Sequence, residues 1–124
     1  MRKILFVFGI VLISSILLSN ADTVQARLKY KKTFDKQYKE LKAKVNTNCN
    51  VCHVPKKKKS ERNNYGVAVR KALKALVDEI PKKGVTDDKK IKEALTKAEK
   101  EKSAMKDKTF GDLIKAGKLP ASKE

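Results

Sequence analysis

Residues 49–53 of this 124-residue chain read C-N-V-C-H, and this short segment constrains the fold more than any other. The pattern C-x-x-C-H is typical of sites where a c-type haem is attached covalently. Its two-residue spacing lets both sulfurs form thioethers with vinyl groups on adjacent pyrroles, and the next residue then faces the iron. We therefore expect Cys49 and Cys52 to hold one haem c, with His53 as its proximal axial ligand.

Other chemistry is possible for the same three side chains. A zinc site would need more ligands, because three ligands within five residues could hold a catalytic zinc only with strain. A redox-active C-x-x-C disulfide belongs in a βαβ setting, and the chain shows no such pattern. A chance occurrence of the motif also stays open. Because the chain has only two cysteines and one histidine, all inside the motif, haem attachment is favoured.

The N-terminal segment has the features of a secretory signal peptide. Arg2 and Lys3 precede an apolar run at residues 4–18, interrupted only by one glycine and two serines. The alternative is an uncleaved membrane anchor, but the run is shorter than the roughly 20 residues that a helix needs to span a bilayer.

Small residues after the apolar run offer two cleavage sites, at Ala26 and at Ala21. We favour Ala26, which gives a signal peptide of residues 1–26 and a single mature domain of residues 27–124. Covalent haem attachment takes place outside the bacterial cytoplasm, so export to the periplasm or another extracytoplasmic compartment agrees with the motif. We expect no membrane span after cleavage.

The formal net charge of +17 is large for so small a chain. Such a field suits nucleic acid, an anionic membrane surface or an acidic protein. An exported haem protein rarely meets nucleic acid, and charge complementarity speeds brief electron-transfer encounters. An acidic redox partner is therefore the preferred interpretation, and a merely solvated surface is the alternative. The four lysines at 56–59 form either a solvated loop or a docking patch beside the haem.

The mature chain shows helical periodicity and no strand pattern, so we expect an all-α domain. The first predicted helix runs from Leu28 to Val45, with Thr33 or a neighbour as its N-cap. The second runs from Asn63 to Glu79, capped by Asn63 or Asn64. Their apolar faces contain Tyr30, Phe34, Tyr38, Leu41 and Val45 in the first helix, and Val69, Leu73, Leu76, Val77 and Ile80 in the second.

Two further helices are predicted towards the C-terminus. The third begins at residues 86–88, with Thr86 as its N-cap, and continues to about Ala104. The fourth is short, opens with a capping box at Thr109 and Asp112, and ends before Gly117. The inward residues are Ile91, Leu95 and Ala98 in the third helix, and Phe110, Leu113 and Ile114 in the fourth.

Two residues near the motif are candidates for contact with the haem. Tyr65 could stack on the macrocycle or donate to a propionate, and the alternative is an ordinary core aromatic. Gly66 lies in the first turn of a predicted helix, where glycine is unfavourable relative to alanine. A side chain at Gly66 would therefore be expected to collide with the haem or with a crossing helix.

The sixth iron ligand decides the function, because two firm ligands favour electron transfer and an open position favours gas binding. His53 is the only histidine, and Met105 is the only methionine of the mature chain. On the predicted third helix Met105 would share a face with the inward residues, so it is the candidate distal ligand. The alternatives are a gap-filling methionine or a lysine ligand that the sequence cannot identify.

The order of these elements resembles the class I cytochrome c fold, in which N- and C-terminal helices cross beside the haem. That resemblance implies histidine and methionine ligation and transfer of single electrons. Only Cys49, Cys52 and His53 match the family motif residue by residue, and Met105 matches by position. Two departures are visible: Val54, Pro55 and the lysines replace the usual glycine-rich, proline-containing segment after the motif, and no proline closely precedes Met105.

A narrower resemblance is to small exported monohaem cytochromes of planctomycetes. It rests on residues 49–54, 62–66 and 109–117. That group includes dimeric haem proteins of anaerobic ammonium oxidisers that bind nitric oxide with cysteine as the distal ligand. This chain has no third cysteine, so that ligation does not carry over.

We therefore expect an exported electron carrier that is not an enzyme. A gas-binding haem protein with an open or weak sixth position is the alternative. A third possibility is an accessory subunit in a homodimer, a heterodimer or a larger complex.

Overall fold

The computed structural model describes the backbone of residues 21–122 and the side chains of residues 28–122. Five α-helices occur in this part of the chain, together with one short 3₁₀ turn in the motif. The described residues contain two isolated backbone bridges and no β-strand, so the expected all-α class is confirmed. The helices are α1 Ala21–Gln37, α2 Lys39–Lys44, α3 Asn64–Lys74, α4 Asp88–Ala98 and α5 Phe110–Lys115, and the 3₁₀ turn is Cys49–Val51.

The first predicted helix is divided in two. Tyr38 separates α1 from α2 with φ −117° and ψ 55°, outside the helical region. Its hydroxyl donates to Glu99 Oε1 at 2.6 Å, and its ring packs on Phe34 with the centroids 4.7 Å apart. These contacts hold Tyr38 towards α4, a tertiary effect that periodicity does not reveal. The expected inward residues Phe34, Tyr38 and Leu41 are buried.

Thr33 does not cap α1, because it lies inside that helix. Its hydroxyl donates to Asp88 Oδ1 at 3.0 Å and so links α1 to the first residue of α4. The predicted signal peptide lies mostly outside the described residues. Cleavage after Ala26 would shorten α1 at its start, whereas cleavage after Ala21 would leave it almost whole.

The second predicted helix is α3, and it is shorter than the sequence suggests. Its N-cap is Asn63, one of the two expected candidates, with the side-chain oxygen accepting from Gly66 N at 2.8 Å. The helix ends at Lys74, and turns follow through residues 75–79. Ile80 precedes a proline, and proline disfavours helical backbone in the residue before it. The expected inward residues Val69 and Leu73 are buried, and Leu76, Val77 and Ile80 are half-buried.

Helix α4 begins one residue later and ends six residues earlier than expected. Asp87 is the N-cap in place of Thr86, with its carboxylate accepting from Lys89 N at 2.8 Å. The helix ends at Ala98 because the chain then reverses. The Glu99 and Glu101 carbonyls accept from the first residues of α5 at 2.9 and 3.0 Å. The predicted inward residues Ile91, Leu95 and Ala98 are all buried.

The capping box of α5 is confirmed. Thr109 Oγ1 accepts from Asp112 N, and the Asp112 carboxylate accepts from Thr109 N at 2.8 Å. Gly117 follows the helix with φ +73°, the left-handed conformation expected of a residue that terminates a helix. Phe110 and Leu113 are buried.

The helices pack around an aromatic cluster beneath the motif. Helix α3 packs mainly against α4, and α4 also packs against α1. Tyr65 lies at the centre, with its ring centroid 5.2 Å from that of Phe110 and 6.1 Å from that of Phe34. Val51 of the motif is buried in the same core. The motif is therefore packed directly against the hydrophobic core of the domain through Val51.

Within residues 21–122, the structure has no helix that is both long enough and apolar enough to cross a membrane.

Candidate functional site

The backbone of the motif forms a single tight turn. The Cys49 carbonyl accepts from Cys52 N at 3.3 Å and from His53 N at 3.1 Å. In a 3₁₀ turn, side chains three residues apart lie above one another. We therefore expect Cys49 and Cys52 to project on the same side. Both are free thiols, with Cys49 exposed and Cys52 half-buried.

The segment that enters the motif is fixed by polar side chains. Asn48 Oδ1 accepts from Asn50 N at 2.8 Å and caps the 3₁₀ turn. Thr47 is buried, and its hydroxyl donates to Asp35 Oδ1 of α1 at 2.7 Å. This bond holds the chain to α1 directly before the first cysteine.

Asp35 is a buried carboxylate with several cationic or hydrogen-bonding partners. Burial opposes its ionisation. The hydrogen bonds from Lys31 and Thr47, together with the charge of Lys42, outweigh burial and lower the pKa of Asp35. The Lys31 ammonium lies 2.5 Å from the carboxylate and that of Lys42 lies at 3.6 Å. The carboxylate is therefore ionised at neutral pH and holds Thr47 in place.

Asn63 ties the motif to the N-terminus of α3. Its side-chain nitrogen donates to the Asn50 carbonyl at 2.9 Å and to the Val51 carbonyl at 3.0 Å. Its backbone N–H donates to the Cys52 carbonyl at 3.1 Å. Three consecutive carbonyls of the turn are thus bound by one residue, which also caps α3.

Gly66 allows α3 to approach the motif closely. A Cβ built on Gly66 would lie 2.0 Å from the Cys52 carbonyl oxygen, far inside van der Waals contact. The sequence predicted a collision with a haem or a crossing helix, and in the structure the obstructing group is the backbone of the motif itself. Glycine is needed here for space, because the residue has ordinary helical backbone.

Tyr65 is fully buried in the aromatic cluster. Burial first, and then the nearby Tyr38 hydroxyl and Cys52 thiol, raise the pKa of Tyr65 well above its ordinary value. The phenol therefore stays protonated, on the inner side of the motif. This location is that of a core aromatic, and contact between Tyr65 and a haem stays a prediction.

Cys52 and Arg62 lie close enough to affect each other's charge. Burial raises the pKa of Cys52 to about 12, and the positive charge of Arg62 opposes that rise. Burial and then the charge of Arg70 lower the pKa of Arg62. The Cys52 thiol is therefore protonated at neutral pH in this arrangement.

The segment after the motif returns to α3 through an exposed loop. His53 is half-buried and forms an isolated antiparallel bridge with Arg62. The four lysines 56–59 between them are exposed, and Lys56 has φ +59° at the start of the turn. The loop conformation expected for this run is confirmed, and the lysines lie within a few residues of His53.

Met105 lies in a loop and not on α4. The expectation that it shares a helical face with Ile91, Leu95 and Ala98 is therefore wrong, because α4 ends at Ala98. Met105 is half-buried, and Ser103 Oγ accepts from its backbone N–H at 3.1 Å. The helix pattern that made it a candidate ligand is absent, and ligation by Met105 stays a prediction.

The described part of the chain has no group of three or more histidine, cysteine, aspartate or glutamate side chains arranged to hold a metal ion. A surface cavity of about 420 Å³, lined by residues between Leu76 and Lys90, includes none of the motif residues.

Sequence reasoning identified the motif but missed most of the hydrogen bonds that fix its backbone. Asn63 was expected only as a helix cap, although an asparagine directly before a predicted helix could have indicated a second role. Asp35 and Thr47 gave no sequence signal, because their hydrogen bond joins segments that periodicity treats separately.

Comparisons with protein families, curated proteins and solved structures find no match to this chain.

Proposed function

We propose that the mature chain is an exported monohaem c-type cytochrome, with a class I cytochrome c-like domain, that transfers single electrons between redox partners. The observation that carries the proposal is the turn of residues 49–53. There two free cysteines lie three residues apart in one hydrogen-bonded turn, and the histidine follows in the same turn. The chain would act as a carrier and convert no substrate of its own.

The residues of the turn suit covalent attachment of haem. Cys49 and Cys52 would hold the group through thioethers, and His53 would be its proximal ligand. The bound haem would supply the one-electron couple of its iron. The chain would fix the group's position, since the turn is hydrogen-bonded to α1 and α3 on both sides.

The positive surface supports docking with an acidic redox partner. The net charge is +17, and the lysines 56–59 are exposed directly after the motif. Charges near a redox centre steer the diffusional encounter and are screened by salt. We therefore place the docking surface at residues 56–59.

A simple anionic oxidant tests this location. Replacing Lys57 and Lys58 by glutamate should slow the oxidation of the ferrous protein by ferricyanide several-fold at low ionic strength, and salt should remove the difference. The matched control changes Lys89 and Lys90 to glutamate, two exposed lysines at the start of α4. Equal slowing in both variants would show that only the total charge matters.

A gas-binding haem protein is the second candidate, and the position of Met105 favours it. Met105 lies in a short loop, so no helix holds its thioether towards a fixed point. An iron with an open or weakly held sixth position would bind carbon monoxide or nitric oxide readily.

One optical experiment separates the two candidates. The pyridine haemochrome of the purified chain first establishes whether covalent haem is present, and its absence would reject both. Sharp low-spin bands of the reduced protein that carbon monoxide leaves unchanged support the electron carrier. A high-spin spectrum, or one that carbon monoxide converts rapidly, supports gas binding. A Met105→Leu variant keeps the side-chain volume, and only a ligand role predicts a changed spectrum.

A further inference from the structure

Asn63 occupies an unusual place between the motif and α3. Its side-chain oxygen accepts from Gly66 N at 2.8 Å, which is ordinary capping of a helix N-terminus. Its side-chain nitrogen points the other way and donates to the Asn50 and Val51 carbonyls at 2.9 and 3.0 Å. The oxygen of the Asn63 amide therefore caps α3, and its nitrogen binds the turn of the motif.

The bonds made by Asn63 determine the direction in which the turn faces. Together with its backbone N–H, which donates to Cys52, Asn63 binds the carbonyls of residues 50, 51 and 52. Fixing three successive carbonyls removes most of the rotational freedom of the peptide planes between the two cysteines. The backbone of the turn, and with it the Cα–Cβ directions of Cys52 and His53, is then fixed relative to α3.

The contacts of Gly66 and Val51 also restrict the position of the turn. Gly66, three residues after Asn63, lies so close to Cys52 that a Cβ there would reach to 2.0 Å of the carbonyl oxygen. Val51 is buried in the core, so the turn cannot move outward as a unit without exposing apolar surface. The side-chain nitrogen of Asn63 is the polar group that completes this fixation.

We propose that Asn63 is a positioning residue for the cofactor, and that its amide nitrogen holds the turn in the orientation that sets how His53 faces the iron. This inference rests on the proposed function. It assigns to Asn63 a role distinct from capping α3, and the two roles depend on different atoms of the same side chain.

Substitutions can separate the two roles. Asn63→Asp keeps an oxygen that caps α3 but replaces the donor by an acceptor that faces two carbonyls. Asn63→Ala removes both roles. The matched control is Asn64→Asp, which introduces the same charge one residue later. Asn64 is exposed, and its side-chain oxygen accepts only from the adjacent Tyr65 N at 2.9 Å.

The readouts are the reduction potential and the chemical shifts of the haem methyl groups in the oxidised holoprotein, which respond to the orientation of the axial imidazole. We expect Asn63→Asp to change the spread of the methyl shifts and to shift the potential at least twice as far as Asn64→Asp does. Asn63→Ala should show the same spectral change together with a lower melting temperature, because it also lacks the cap.

Equal effects of Asn63→Asp and Asn64→Asp on both readouts would overturn the inference and leave Asn63 as a helix cap. If the wild-type chain carries no haem, the proposed function fails separately. The hold of Asn63 on the turn is then measured in the same chain by the rate at which Cys52 reacts with a maleimide. That rate should rise several-fold in Asn63→Asp and not in Asn64→Asp, and unchanged rates would reject the positioning role of Asn63 as well.

Discussion

His53 and Met105, the two candidate iron ligands, both lie outside the helices, and the structure supports them very differently. The turn with His53 is bonded to α1 through Thr47 and to α3 through Asn63. The loop with Met105 is closed mainly by its own atoms, with the Ser103 hydroxyl bonded within residues 103–108. One side of the proposed site is fixed by tertiary contacts, and the other by local contacts.

This difference matters for the choice between the two proposed functions. A ligand gains from a rigid support, because the side chain is then held near its metal-bound position without further loss of entropy. His53 has such support and Met105 does not. Substitutions on the two sides should therefore differ in their effects.

Replacing Cys49 and Cys52 together by serine should abolish covalent attachment of haem. Serine hydroxyls do not form the thioethers that hold the group, whereas the turn depends on backbone bonds that serine keeps. The measurement is the haem retained by the denatured chain after extraction with acidified acetone. A double variant at the exposed residues Lys57 and Lys58 controls for handling, and haem retained in the serine variant would contradict the assignment.

Gly66→Ala should lower the free energy of unfolding by about 1–3 kcal/mol, because the new methyl group would collide with the Cys52 carbonyl. The gain in helix propensity from glycine to alanine is about 1 kcal/mol and is too small to compensate. Denaturant unfolding of the holoprotein gives the value.

The matched control for that substitution is Val67→Ala, one residue further along α3. Val67 is 55% exposed, so its truncation should cost less than about 0.5 kcal/mol. Similar losses in the two variants would show that α3 does not press on the motif as the structure describes.

Asp35→Asn should lower stability by about 1–2 kcal/mol at neutral pH through the loss of charge-assisted bonds from Lys31 and Thr47. The lowered pKa of Asp35 fixes the sign of the pH dependence. Its contribution is complete above the ordinary value of 3.8 and is lost as the pH falls below that value through the folded-state pKa.

The measurement is urea unfolding of both proteins between pH 7 and pH 2. The difference between wild type and Asp35→Asn should shrink as the pH falls below about 4. A difference that stays constant over this range would mean that the Asp35 charge contributes nothing and that only its shape matters.

Met105→Ala should change the free energy of unfolding least, by about 0.5–1 kcal/mol, because the side chain is half-buried in a loop. A loss of more than about 2 kcal/mol in the holoprotein would point to a bond between the thioether and the iron. His53 and Met105 would then both be firmly held ligands. Ser103→Ala is the control for disturbance of the loop itself.

The predictable parts of this fold were those governed by local chemistry. The capping box of Thr109 and Asp112, an asparagine cap at residue 63 or 64 and the helix end before Gly117 were all predicted correctly, because each depends on residues within one turn of the helix. The helix ends were less accurate. Helix α4 stops at Ala98, since Glu99 and Glu101 bond to α5, and such bonds between distant segments leave no periodic signal.

The all-α class, most of the buried residues of the helices and the motif of Cys49, Cys52 and His53 could be predicted from the residues alone. Spacing and side-chain chemistry are sufficient for these features. The close contact of Asn63 and Gly66 with the turn, the core location of Tyr65 and the loop location of Met105 became visible in the folded chain alone. Each of these depends on which segments meet, and that is set by the packing of the whole chain around its aromatic cluster.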